Sequence, residues 1–213
     1  METKVFNKDY DYIIDYCAIQ IKKGNIGIFP TDTVYGIGCD ALNISSIQNL
    51  FSIKNRNLNK PINVLVSNLD MLKNLIYEIN PIEEKLIKNY WPGDLTIIFN
   101  KSNIVPDILT SGLDTIGVRM PNNKICLELI EKFGSPIATS SANLADESPD
   151  SNINNLLSDF NNKVSFIIDT GILDKNLPST IVKVENNEIK ILRQGDISVE
   201  DIKKCFGGNI NVR

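Results

Sequence analysis

A chain of 213 residues with 42% hydrophobic and 23% charged positions has the make-up of a globular protein with one substantial core, expected as a single domain. Its net charge of -4 and isoelectric point of about 5.0 argue against a non-specific grip on nucleic acid, which needs a cationic surface, although a local basic patch stays open. The absence of histidine excludes His-dependent triads, imidazole bases and His-ligated metals, leaving hydroxyls, amides, carboxylates, Lys, Arg and a hard metal ion to do any chemistry.

Asn7 is placed to cap a first helix in which Tyr10, Ile13, Ile14, Cys17 and Ile21 form an apolar stripe, and Gly24 supplies the stop. A strand from Ile26 to Phe29 then opens into Pro30-Thr31-Asp32-Thr33-Val34-Tyr35-Gly36, small polar residues and glycine of the kind that α/β proteins place at ligand sites. Ser46 caps a short helix bearing Ile47, Leu50 and Phe51, with Lys54 and Arg56 just past its end. An apolar run from Ile62 to Val66 reads as a strand, an Asn68-capped helix follows, and Asn80-Pro81 with Glu83 and Glu84 starts another that Trp91-Pro92-Gly93 ends. Strands are expected over Leu95 to Phe99 and Thr115 to Val118, and a helix from Asn122 to Phe133. Pro136 to Thr139 makes a strand that opens into Ser140-Ser141-Ala142-Asn143, a second polar strand end, so two strand tips are expected to share one site. After an Asn-rich helix come a strand at Val164 to Ile168 and a hairpin, Thr180 to Val184 with Glu188 to Leu192, which makes the sheet mixed. The fold class is α/β.

Cys17, Cys39, Cys126 and Cys205 show no paired spacing, so buried free thiols are expected rather than a zinc site or disulfide framework. No apolar run approaches the roughly 20 residues that span a bilayer, and the N-terminus lacks the order of a secretory signal, so a cytoplasmic location without membrane contact is expected.

Neither a Walker loop nor a Gly-x-Gly-x-x-Gly turn is present, because Gly36 and Gly38 run into Cys39, Asp40 and Ala41. Lys54, Arg56 and Lys60 form either a phosphate clamp or a solvated helix end. Arg119, ending an apolar strand, suits either a bidentate carboxylate contact or a surface ion pair, and Arg193 has the same ambiguity. Ser141 and Asn143 either bind a phosphate or a metal-bound water, or satisfy their own turn. Asp32 orients a metal or an ammonium group, or holds its turn as an Asx residue; the turn is the favoured reading.

Taken in order, Pro30 to Gly36, Lys54-Asn55-Arg56 with Lys60-Pro61, Trp91-Pro92-Gly93, Gly117-Val118-Arg119-Met120-Pro121, Ser141-Ala142-Asn143 and Pro178-Ser179-Thr180 with Arg193 closely resemble the YrdC/Sua5 family of threonylcarbamoyl-AMP synthases. The resemblance implies a twisted mixed sheet with a large concave face, and a domain over residues 1–195 followed by a short helix and tail at 196–213 without a second domain. It implies condensation of L-threonine, bicarbonate and ATP with release of pyrophosphate, Mg²⁺ arriving with the ATP phosphates. The product would go to a separate complex that modifies tRNA, with weak tRNA contact possible. Carried over by position, Arg56, Lys60, Thr115, Ser141, Asn143 and Arg193 would contact ATP, Lys54 and Arg56 would act in catalysis, and Thr33, Arg119, Thr139 and Ser179 would contact threonine.

The sequence departs from the family pattern in three places. Ala145-Asp146 replaces the usual Ser-Gly after the Ser-x-Asn element, and Leu65 stands where some relatives have a histidine near threonine. The third is the short form, which leaves what closes over the nucleotide unidentified. The rival readings are a YrdC-like RNA-binding module without adenylate synthesis, and carbamoyl-AMP chemistry like that of hydrogenase-maturation carbamoyltransferases, whose zinc-finger cysteine pairs are missing here.

Overall fold

A computed structural model describes residues 2–144, 152–173 and 177–213. Ten strands form one mixed sheet, ordered β1-β8-β2-β3-β7-β4-β6-β5-β9-β10. They are β1 (Lys4–Phe6), β2 (Gly27–Phe29), β3 (Gly36–Asp40), β4 (Asn63–Leu65), β5 (Leu95–Asn100), β6 (Thr115–Arg119), β7 (Ile137–Ser141), β8 (Phe166–Ile168), β9 (Thr180–Glu185) and β10 (Glu188–Arg193). The helices are α1 (Tyr10–Lys22), α2 (Ile44–Ile53), α3 (Leu69–Leu75), α4 (Pro81–Tyr90), α5 (Asp107–Thr110), α6 (Lys124–Phe133), α7 (Ile153–Phe160) and α8 (Val199–Cys205). None is long and apolar enough to cross a membrane.

Alternation along the strands divides the core in two. Ile28, Ile37, Val64, Ile97, Val118, Ala138, Ile167 and Val182 point to one face and join the larger cluster with residues of α2, α3, α4 and α7. Phe29, Leu65, Ile137, Phe166 and Ile168 point to the other, where Ile13, Cys17 and Ile21 of α1 and Cys126, Leu129 and Ile130 of α6 cover them. Burial pushes the Cys17, Cys39 and Cys126 thiols well above their ordinary range, so they pack as inert apolar groups. All four cysteines are free, but Cys205 is only half-buried.

Local chemistry explains most helix starts. Asn43, Asn68, Asn80, Asn123 and Asn152 each accept a backbone N–H of the following turn, and at Asn80 the Glu83 carboxylate returns a bond to the cap N–H. Replacing Asn80 with alanine is expected to cost about 1 kcal/mol and lower the melting temperature by about 2–4 °C, measured by thermal denaturation. Two caps differ from expectation. Asp9, in a left-handed conformation with no side-chain bond, precedes α1 instead of Asn7, and Asn43 displaces Ser46, whose hydroxyl donates to the Gly24 carbonyl.

Two strands were not legible. Among the described residues β1 is a three-residue edge strand paired only with β8. β3 carries two glycines, residues that weaken a strand on propensity alone. Tertiary packing demands them, since a Cβ on Gly36 would sit 2.8 Å from the Thr139 hydroxyl and one on Gly38 2.7 Å from the Ala138 carbonyl. The stretch after Phe29 is therefore a hairpin, β2 antiparallel to β3, with residues 30–35 at its tip.

Candidate active site

The sheet register assembles a stripe of polar side chains on the face that α1 and α6 cover. Gly36 opposes Ser141 and Gly38 opposes Thr139; Thr139 opposes Asn63, and Leu65 opposes Arg119. Gly117 opposes Ile98, so Thr96, two residues before it, shares that face; Thr96 opposes Ile181, next to which Ser179 enters β9. A β-bulge between Ile191 and Arg193 pairs Arg193 with Ile181, turning its side chain to this same face where strict alternation would have presented Leu192. The result is a cavity of about 150 Å³ walled by Thr31, Thr33, Val34, Gly36, Arg56, Pro61, Asn63, Leu65, Thr96, Arg119, Thr139, Ser140, Ser141, Pro178, Ser179 and Arg193.

The hairpin tip is held by a hydroxyl. Thr31 Oγ1 accepts the N–H groups of Thr33 (3.1 Å) and Val34 (3.2 Å) and donates to the Val34 carbonyl (2.6 Å). Asp32 does not hold the turn, contrary to the favoured reading. Its Oδ1 lies 2.7 Å from Arg119 Nη2 and its Oδ2 accepts the Asn122 N–H at 2.9 Å. Arg119 Nη1 donates to the Thr33 hydroxyl at 3.2 Å, so this arginine forms a buried pair rather than a surface one.

Arg193 donates through Nε and Nη2 to the Ser179 carbonyl (3.1 and 2.9 Å) and through Nη2 to the Ser179 hydroxyl (3.1 Å), which lies 2.8 Å from Thr96 Oγ1. Arg56 donates to the carbonyls of Lys60 (3.2 Å) and Pro61 (2.8 Å), fixing the turn that carries it. Burial lowers the pKa of both arginines, and Arg119 adds to the effect on Arg193. Lys54 is 2% exposed, and its ammonium donates to the Ser141 carbonyl. Burial, and then the neighbouring Arg56, bring its pKa down to about 7.

Seven of the expected site residues, Thr33, Arg56, Arg119, Thr139, Ser141, Ser179 and Arg193, thus meet around one cavity. Lys54 sits behind its wall. Asn143 is buried two residues past Ser141 and donates to the Leu144 carbonyl. Lys60 is exposed at the far end of the Arg56 turn, outside the lining. Thr115 is also outside it, at the opposite end of β6 from Arg119, about 13 Å along the strand. Ala145-Asp146 lies outside the described residues.

Asn63 and Thr96 belong to the lining but were not singled out in the sequence, while Thr31 and Ser140 come from the two polar strand ends expected to share a site, without a role of their own. Asn63 sits in an apolar strand, and what marks it is Gly117 across the ladder: a Cβ there would come within 2.3 Å of Asn63 Oδ1. Because the obstructed atom ends a flexible side chain, Gly117→Ala is expected to change stability by less than about 1 kcal/mol while displacing Asn63 and weakening ligand binding in a titration.

The Sua5/YciO/YrdC family model, described as "Telomere recombination", matches residues 20–195. The chain belongs to this family. A Pyrococcus abyssi protein named threonylcarbamoyl-AMP synthase is 36% identical over 88% of the chain, which spans 55% of that protein. A Methanocaldococcus jannaschii protein named putative threonylcarbamoyl-AMP synthase is 33% identical over 91% of the chain and is itself covered over 90% of its length. The crystal structure of P. abyssi Sua5 complexed with L-threonine superposes with a TM-score of 0.92 at 33% identity, covering 100% of this chain and 63% of that one. The chain therefore spans little more than half of its longer Sua5 relatives, and the family's mixed α/β sheet is present throughout.

Proposed function

We propose that this protein synthesises L-threonylcarbamoyl-AMP from L-threonine, bicarbonate and ATP, releasing pyrophosphate. The reading is supported by the names of its relatives and by threonine in the P. abyssi structure. The observation that carries it is the composition of the cavity, which sets three arginines and seven hydroxyl-bearing residues around one space, with no carboxylate among the described residues of the lining. Such a site suits anionic partners: a carboxylate, a carbamate and a polyphosphate.

In the proposed reaction the threonine nitrogen takes up bicarbonate carbon with loss of water, and a carbamate oxygen attacks the α-phosphorus as pyrophosphate leaves. Nucleophile and electrophile are both anions, so positioning and charge neutralisation carry the catalysis. Arg119, Thr33, Thr139 and Ser179 would hold the amino acid, and Arg56, Ser141 and Arg193 the nucleotide, with Lys54 behind Ser141. Asn143, Lys60 and Thr115 would contact ATP beyond the cavity lining, to which none of them belongs. Among the described residues no acidic or thiol cluster could hold a metal, so Mg²⁺ would come and leave on the phosphates. The product would pass to a separate complex that transfers the threonylcarbamoyl group to tRNA.

The test is mass detection of the adenylate with pyrophosphate release that needs threonine and bicarbonate together. Release indifferent to threonine rejects the reading. RNA binding without nucleotide turnover would favour a binding module, and dependence on carbamoyl phosphate would favour carbamoyl-AMP chemistry.

A further inference from the structure

We propose that Asp32 is a positioning residue that both aims and neutralises Arg119, making it a receptor for a carboxylate rather than a phosphate. The proposal rests on the assignment of Arg119 to the amino acid. Asp32 is not part of the cavity wall, and its carboxylate is 10% exposed against 6% for the Arg119 side chain. Each oxygen already has a protein donor, Arg119 Nη2 on Oδ1 and the Asn122 N–H on Oδ2. The carboxylate is thus committed to the protein, not offered to a substrate ammonium or a metal.

The three cavity arginines then differ in charge as well as place. Arg119 is balanced by Asp32 and steered on its other side by Thr33. Among the described residues Arg56 bonds only backbone carbonyls, and Arg193 only the carbonyl and hydroxyl of Ser179. Those two guanidiniums keep their full charge for a polyphosphate. The Asp32–Arg119 pair has no net charge, so it attracts a phosphate dianion less than the two unbalanced guanidiniums do, while the remaining N–H donors of Arg119, held in place by Asp32 and Thr33, still suit a singly charged carboxylate. Without Asp32 this distinction disappears.

Asp32→Asn removes the charge and sets an amide N–H₂ against one of the two donors. Its KM for threonine is expected to rise about tenfold or more while the KM for ATP stays within about twofold. Inorganic phosphate is expected to compete with threonine in this variant and not in the wild type. Asp32→Glu keeps the charge but not the alignment, so it should raise the threonine KM and still exclude phosphate. Unchanged threonine KM in Asp32→Asn, equal weakening of both substrates, or phosphate competition in Asp32→Glu would each overturn the proposal. Arginine side-chain ¹⁵N NMR is the check that needs no reaction: Arg119 Nη signals should be resolved by slow rotation in the wild type and averaged in Asp32→Asn. Averaged signals in the wild type refute Asp32's role, whereas a wild type that ignores threonine but shows resolved signals refutes only the functional assignment.

Discussion

Lys54→Met is expected to make the protein more stable near pH 6 while lowering the proposed adenylate synthesis at that pH at least about 100-fold. The folded-state pKa of about 7 lies below the ordinary lysine value of 10.5 because burial penalises the charged amine. Between those two values the unfolded chain binds more protons, so the stability of the wild type climbs with pH through this window by about 1.4 kcal/mol per pH unit from this group alone. Below pH 7 the full penalty is present. Methionine fills the volume without it, and the Ser141 carbonyl keeps the Asn143 N–H at 3.0 Å. Urea midpoints for both proteins at pH 6, 8 and 9.5 check this: the advantage of the variant should shrink as pH rises, and parallel curves would contradict it. Activity should fall most near pH 6, where the wild-type amine beside Arg56 and behind Ser141 carries its charge, and the gap between the two proteins should narrow above pH 7, where that amine is mostly neutral.

Gly195→Ala is expected to cost about 3 kcal/mol or more and to inactivate the site. A Cβ at this position would stand 2.2 Å from the Pro178 carbonyl and 2.5 Å from the Thr180 nitrogen, backbone atoms that cannot rotate aside. Relief requires the segment after β10 to leave β9. That breaks the Gly195 N–H bond to Thr180 Oγ1 (2.9 Å), the donation from Thr180 Oγ1 to the Ile197 carbonyl (2.9 Å) and the Arg193 contacts with Ser179. Chemical denaturation and pyrophosphate release on the same preparation measure both effects. The contrast with Gly117→Ala, where a movable amide is the obstacle, separates a glycine required by backbone from one required by a side chain.

Most of the fold was legible in the sequence because its signals are local. The stripe of α1, the Asn80-Pro81 start of α4 and the β9–β10 hairpin need only neighbours within a few residues. β3 was not legible, since glycine argues against a strand unless the Phe29 and Thr139 side chains pressing on it are known. Asp32 was misread for a related reason. Its partners, Arg119 and Asn122, are 87 and 90 residues away, whereas the turn it was expected to hold belongs to Thr31.

The sequence by itself determined which groups are available: no imidazole, three arginines after ordered motifs, and two polar strand ends, which β3 and β7 bring side by side. Only the tertiary structure decided how they are used, because side chains alternate between faces and one residue of register exchanges them. Asn63 and Thr96 join the cavity through pairing with β7 and β9, and Arg193 through a bulge that adds one residue to β10. Burial and pairing are properties of the assembled sheet. They give Lys54 its lowered pKa, balance Arg119 with Asp32 and set Arg56 and Arg193 against backbone carbonyls.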